Sequence, residues 1–162
     1  MTRFYFLKKS EKDTWLPILF DLFYENMQYV AESDKSYNDE KNWWIPTISE
    51  ALERDPRNII MFDVDGEFAG FFMYYIREKT IVAEELQIVK KHQRTRLLYR
   101  LCKHLIEALG DDAEYIEAYA HRQNLNSQKL MKYLMMKERE DLADPSFVGF
   151  CGRVELAKRR IK

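Results

Sequence analysis

The sequence predicts an α/β fold of the α+β kind: one mixed, mostly antiparallel sheet with helices on both faces. Three observations carry that expectation. Asp65-Gly66 sits between the apolar runs Ile59–Asp63 and Phe68–Arg77, which is a strong hairpin signal and makes those strands antiparallel neighbours. The apolar run Ile81–Val89 gives way to helical spacing at Leu97, Leu98, Leu101, Leu105, Ile106 and Leu109, and a further apolar run follows at Tyr115–Ala120. Strand–helix–strand of that length implies a right-handed parallel crossover. Third, the full element order reads β–α–α–β–β–β–α–β–α–β. With 162 residues, 46% of them hydrophobic and 14% aromatic, the chain is long enough for one well-buried core and short for two. A single domain over residues 1–162 is expected.

Charge and composition exclude several classes. A net charge of −1 and a pI near 6.3 lack the basic face of a general nucleic-acid binder. No apolar run approaches the ~20 residues that a membrane helix needs. The opening Met1–Leu7 stretch is too short for a signal peptide and has no small-residue cleavage site. Cys102 and Cys151 form no metal-like pair and read as reduced thiols in a cytoplasmic setting, so no metal site is expected.

Taken in order, Arg3–Leu7 is a first strand, and Ser10–Asp13 turns and caps a helix with Pro17 in its tolerant first turn. Ile18, Leu19, Leu22, Phe23, Met27 and Val30 give that helix an apolar stripe, and polar Ala31–Glu40 reads as a loop. Pro46 is expected to interrupt any helix begun at Trp43-Trp44. Thr47 and Glu50 then form a capping box for a short helix buried through Ile48, Ala51 and Leu52 and ended by Asp55-Pro56. The paired tryptophans read as packing residues, with an acceptor-lining role as the second reading, because aromatic faces attract amine cations. Glu78–Thr80 turns the chain into the central strand. Thr95 is the expected N-cap and Gly110 the C′ stop of the following helix. After Tyr115–Ala120 another helix starts near Asn124. Lys137–Asp144 is loop-like with room for a short strand, Ser146–Leu156 is a last strand, and Lys158-Arg159-Arg160 a solvated basic tail.

The chain is organised around Glu84–Leu101. Arg94, Arg96 and Arg100 crowd a helix N-terminus where unpaired backbone N–H groups and the macrodipole are already positive. Cations there make most sense if an anion docks against them, which marks a phosphate site.

From this stretch onward the chain resembles the GNAT superfamily of acyl-CoA-dependent N-acyltransferases. The family's Gln/Arg-x-x-Gly-x-Gly/Ala loop is matched by Gln93-Arg94-Thr95-Arg96-Leu97-Leu98, with Arg96 and Leu98 in the glycine positions. The hairpin block Ile59–Phe71 resembles the two strands that precede the central strand in the family. His121–Met136 resembles its second motif, Asn-x-x-Ala/Ser-x-x-apolar-Tyr, through Asn124, Ser127, Leu130 and Leu134, with Met131 where the tyrosine would be and Met135-Met136 replacing Gly-Phe.

The resemblance implies a fold, a cofactor and a reaction. Acetyl-CoA would be the acyl donor, with its pantetheine arm paired to backbone groups of Gln87, Ile88 and Val89. Its pyrophosphate would lie at Gln93, Arg94, Thr95, Arg96, Leu97 and Leu98, with Asn124 beside the arm. An amine on a small molecule or peptide would be the acceptor. Direct transfer needs a base for the ammonium proton. Glu84 is the first candidate and Glu85 the second, on opposite faces of the strand, with His121 a third. The alternative is a GNAT-like protein that has lost catalysis and serves binding, regulation or assembly, a reading favoured by the replaced glycines and the missing tyrosine.

Overall fold

The structure is a computed structural model that describes residues 1–31, 33–54, 56–93, 95–109, 112–139 and 144–161. Among them run seven strands: β1 (Thr2–Phe6), β2 (Asn58–Val64), β3 (Glu67–Arg77), β4 (Thr80–Ile88), β5 (Tyr115–His121), β6 (Lys137–Arg139) and β7 (Phe147–Arg153). The α-helices are α1 (Lys12–Met27), α2 (Tyr37–Arg54), α3 (Leu97–Leu109), α4 (Leu125–Tyr133) and α5 (Val154–Arg160). The strands form one sheet in the order β1-β2-β3-β4-β5-β7-β6. As expected of a mixed α/β fold, β4 and β5 run parallel, while β1–β2, β5–β7 and β6–β7 are antiparallel. The chain divides into two compact units, one of Met1–Met73 with Glu85–Gln93, the other of Tyr74–Glu84 with Arg94–Lys162.

In the first unit, α1 and α2 bury Leu16, Leu19, Phe20, Trp44, Ile48 and Leu52 against Ile59, Met61 and Phe71. Burying each such side chain is worth about 1.5–3 kcal/mol. Trp44 is 4% exposed and stacks on Phe23 at 5.7 Å, so it is a packing residue. Trp43 is 61% exposed, with the Lys35 ammonium 5.7 Å from its ring centroid. The β2–β3 hairpin turns through Asp65 (φ 53°) and Gly66 (φ 85°), two positive angles that match the right-handed strand twist.

Two expectations about helices in this unit are corrected. Helix α2 is continuous from Tyr37 to Arg54 and runs through Pro46. Its start is set at Ser36, whose hydroxyl accepts from Asp39 N at 3.2 Å and donates to Asp39 Oδ2 at 2.6 Å. Thr47 is no cap: its hydroxyl donates back to the Trp43 carbonyl at 2.7 Å. Pro46 removes one helical bond, and the burial of Trp44, Ile48 and Leu52 on one face offsets that local loss. Helix α1 starts at Lys12, after a 3₁₀ turn over Lys9–Glu11, which puts Pro17 beyond the first turn. The expected stop at Asp55 lies outside the described residues.

In the second unit, β4 pairs with β5 over Thr80–Ala83 and Tyr115–Ala118. Ala118 and Ala120 face a core made with Met131, Leu134, Met136, Phe150 and Ala157. The expected last strand over Ser146–Leu156 ends at Arg153, and Val154–Arg160 forms α5. Val154, Ala157 and Ile161 are buried at 3%, 1% and 5% exposure, a three–four spacing that belongs to a helix. The basic tail therefore occupies the last turn of α5, where cations suit the helix dipole. The expected stop of α3 at Gly110 lies outside the described residues.

Candidate active site

At the end of β4 the first unit holds a chain of side-chain amides. Asn26, in the last turn of α1, donates from Nδ2 to Gln87 Oε1 at 2.7 Å and to the Ile88 carbonyl at 3.1 Å. Gln93 donates from Nε2 to the same carbonyl at 2.9 Å and to Asn26 Oδ1 at 3.2 Å. Gln87 is 5% exposed and donates from Nε2 to Glu85 Oε1 at 2.6 Å. The Ile88 carbonyl thus carries two protein donors, and Val89 N–H donates to the Ala69 carbonyl at 2.9 Å. Gly70 allows β3 to approach here, since a Cβ on it would sit 2.2 Å from the Gln87 carbonyl oxygen.

The first turn of α3 belongs to the second unit. Thr95 Oγ1 accepts from Leu97 N at 3.2 Å and satisfies the first helical N–H. Leu97 is 4% exposed, so its side chain is core and only its backbone faces the turn. Thr95, Arg96 and Leu98 line a surface hollow of about 570 Å³, together with Tyr99 and Cys102 of α3 and Leu130, Tyr133 and Leu134 at the end of α4. Arg94 lies outside the described residues. The C-terminal segment closes one side: Tyr99 donates to the Ile161 carbonyl at 2.6 Å, and Tyr133 to the Arg160 carbonyl at 3.1 Å. Burial pushes the Cys102 thiol up to about 11, so it stays protonated and unreactive at neutral pH.

Asn124 caps α4 by accepting from Ser127 N at 3.1 Å. Met131, at the family's tyrosine position, is 9% exposed and packs in the core. His121 Nδ1 accepts from Gln123 N at 3.2 Å, and its ring meets Phe147 edge-on at 5.5 Å. Glu84 and Glu85 are both half-buried on β4.

Two features escaped the sequence reading. One is Asn26, the hub of the amide chain. The other is Glu117, 6% exposed on β5, whose carboxylate meets Arg77 at 3.4 Å, Arg139 at 3.2 Å and the Tyr119 hydroxyl. A buried carboxylate needs such partners to remain charged.

No helix of the described residues is long and apolar enough to cross a membrane, and no curated protein matches the chain in sequence. Solved structures do match in fold. An acetyltransferase from Thermus thermophilus superposes with a TM-score of 0.72 at 15% identity, over 94% of this chain and 97% of that one. An acetyltransferase from Streptococcus agalactiae gives 0.72 at 15%, over 94% and 98%. The PaiA N-acetyltransferase of Thermoplasma acidophilum, crystallised with coenzyme A, gives 0.69 at 12%, over 94% and 99%. Residues 16–134, well over half of the sequence, match the model of the acetyltransferase (GNAT) family, and the chain belongs to that family.

Proposed function

We propose that residues 1–162 form one acyltransferase domain that carries an acetyl group from acetyl-CoA to an amine on a small molecule or peptide. Membership of a family that uses acyl-CoA donors supports the reaction class. The observation that carries the donor assignment is the first turn of α3, where Arg96 and Thr95 border a hollow of about 570 Å³. Arg96 and Leu98 replace glycines of the family loop, yet open space remains beside them, and the lining mixes a guanidinium with tyrosine rings and aliphatic side chains. That donor set fits a phosphorylated nucleotide end.

In this reading the helix N-terminus, with Arg96, holds the phosphates. The Gln87–Val89 backbone meets the pantetheine arm, with Asn124 near it. Because the Ile88 carbonyl is already twice bonded, the arm pairs with other groups or displaces the Gln93 amide. The bound donor supplies an activated thioester. The chain supplies proximity, and a glutamate, Glu85 or Glu84, takes the proton from the acceptor ammonium, with His121 the remaining candidate. Met131 cannot donate a proton, and a thiolate leaves tolerably without one near neutral pH. Two free cysteines suit a reducing cytoplasm.

The test is thiol release from acetyl-CoA across pH with a panel of amines and peptides. Acceptor-dependent release that falls in a glutamate-to-glutamine variant at neutral pH, and recovers at high pH, supports the proposal. Donor binding without acceptor-dependent release leaves the chain a non-catalytic binding protein.

A further inference from the structure

We propose that Asn26 is a positioning residue: acting through Gln87, it fixes the Glu85 carboxylate as the group that accepts the proton. The inference rests on the acyltransferase reading and adds to it a residue that neither family motif contains.

Hydrogen-bond polarity fixes how these groups face one another. A backbone carbonyl only accepts, so the Ile88 carbonyl dictates which end of the Asn26 amide faces it: Nδ2, at 3.1 Å. The Gln93 amide nitrogen, anchored on the same carbonyl at 2.9 Å, reaches Asn26 Oδ1 at 3.2 Å and favours the same orientation. Nδ2 therefore also faces Gln87, and Gln87 must answer with its oxygen, at 2.7 Å. That leaves only the Gln87 nitrogen for Glu85, and it donates to Oε1 at 2.6 Å.

The polarity of a backbone group is thus relayed through two amides to one carboxylate oxygen. Gln87 is 5% exposed, so water competes little for its two ends. One Glu85 oxygen is held by this donor, and the carboxylate is oriented before any acceptor arrives. Strand alternation puts Glu84 on the face opposite Glu85 and Gln87. The geometry favours Glu85 as the base.

Asn26→Asp is the discriminating variant, because it keeps shape and removes the donor. With a carboxylate introduced there, Gln87 is driven to turn its nitrogen toward the new acceptor and its oxygen toward Glu85, which expels the Glu85 carboxylate from its position. The predicted result is a fall in kcat of about 10²-fold at neutral pH, the scale of a misplaced catalytic group. The deficit should shrink at high pH, where the acceptor amine is already neutral. Gln87→Leu should behave likewise.

Independently of turnover, the ¹³C-carboxyl resonance of Glu85, followed through a pH titration in the donor-free protein, should shift its midpoint in Asn26→Asp and Asn26→Ala. An unchanged Glu85 titration in both variants overturns the relay. So does an Asn26→Asp enzyme with the wild-type pH profile while Glu85→Gln is impaired. A wild type that transfers to no amine sinks the acyltransferase reading instead, and the resonance still decides whether the relay exists.

Discussion

Replacing Gly70 with alanine should be among the most damaging small changes available in the first unit. The Gly70 φ is +152°, and an added Cβ would meet the Gln87 carbonyl oxygen at 2.2 Å and the Phe62 ring at 2.5 Å and 2.8 Å. The backbone angle alone costs a residue with a side chain about 1–3 kcal/mol. The overlap costs about 1–3 kcal/mol more, because one neighbour is strand backbone and the other a ring in a fully buried side chain. A total near ~4 kcal/mol is a large share of the ~5–15 kcal/mol that holds a typical domain together. With a urea slope of about 2 kcal/mol/M, the unfolding midpoint should drop by about 2 M. Circular dichroism in urea reads this directly. A Gly70→Ala protein whose midpoint stays within a small fraction of that drop would show that β3 and β4 do not approach as closely as described, and the amide chain built on Gln87 would lose its footing.

Asn124→Ala removes the α4 cap and should cost about 1 kcal/mol in the same assay, with Asn124→Asp largely retaining it. Arg96→Ala should weaken CoA binding by about 10–100-fold, the worth of one charged hydrogen bond, and flatten its salt dependence, both read by calorimetry. Arg96→Gly binding more tightly than wild type would show instead that the side chain obstructs the loop. For Cys102 the sign follows from a thiol whose folded pKa is raised, from an ordinary value of 9.0 to about 11. Its contribution is intact below the lower of those values, and is lost between the two as the unfolded thiol ionises and the folded one does not. Relative to Cys102→Ala, wild type should lose about 2–3 kcal/mol across that window in urea titrations.

Features that the sequence made legible are those written in local chemistry. The Asp65-Gly66 turn, the period change after Thr95 and the Asn124 cap each depend on residues within a few positions of one another. Expectations about α2 failed because a strong local signal, Pro46, competes with a burial face that becomes visible only when Trp44, Ile48 and Leu52 find the strands they cover. For α5 the three–four spacing of Val154, Ala157 and Ile161 was present, but the apolar run entering from β7 masked it. Asn26 was invisible for a different reason. Its partners lie 61 to 67 residues away, and nothing local distinguishes it from a solvated asparagine in a helix's last turn. The arginines written before α3 suggest an anion site in the sequence alone, and that reading stands as part of the proposal. That Leu97 turns inward while Leu98 lines a hollow follows only from how α3 packs.

The measurement that bears most directly on the central claim is a calorimetric titration of acetyl-CoA into the wild-type protein, paired with a melting curve. One donor should bind per chain, and Arg96→Ala should weaken that binding. At a hundredfold excess over Kd, stability should rise by about 2.7 kcal/mol. No heat, together with an unmoved melting temperature at millimolar acetyl-CoA, would contradict it.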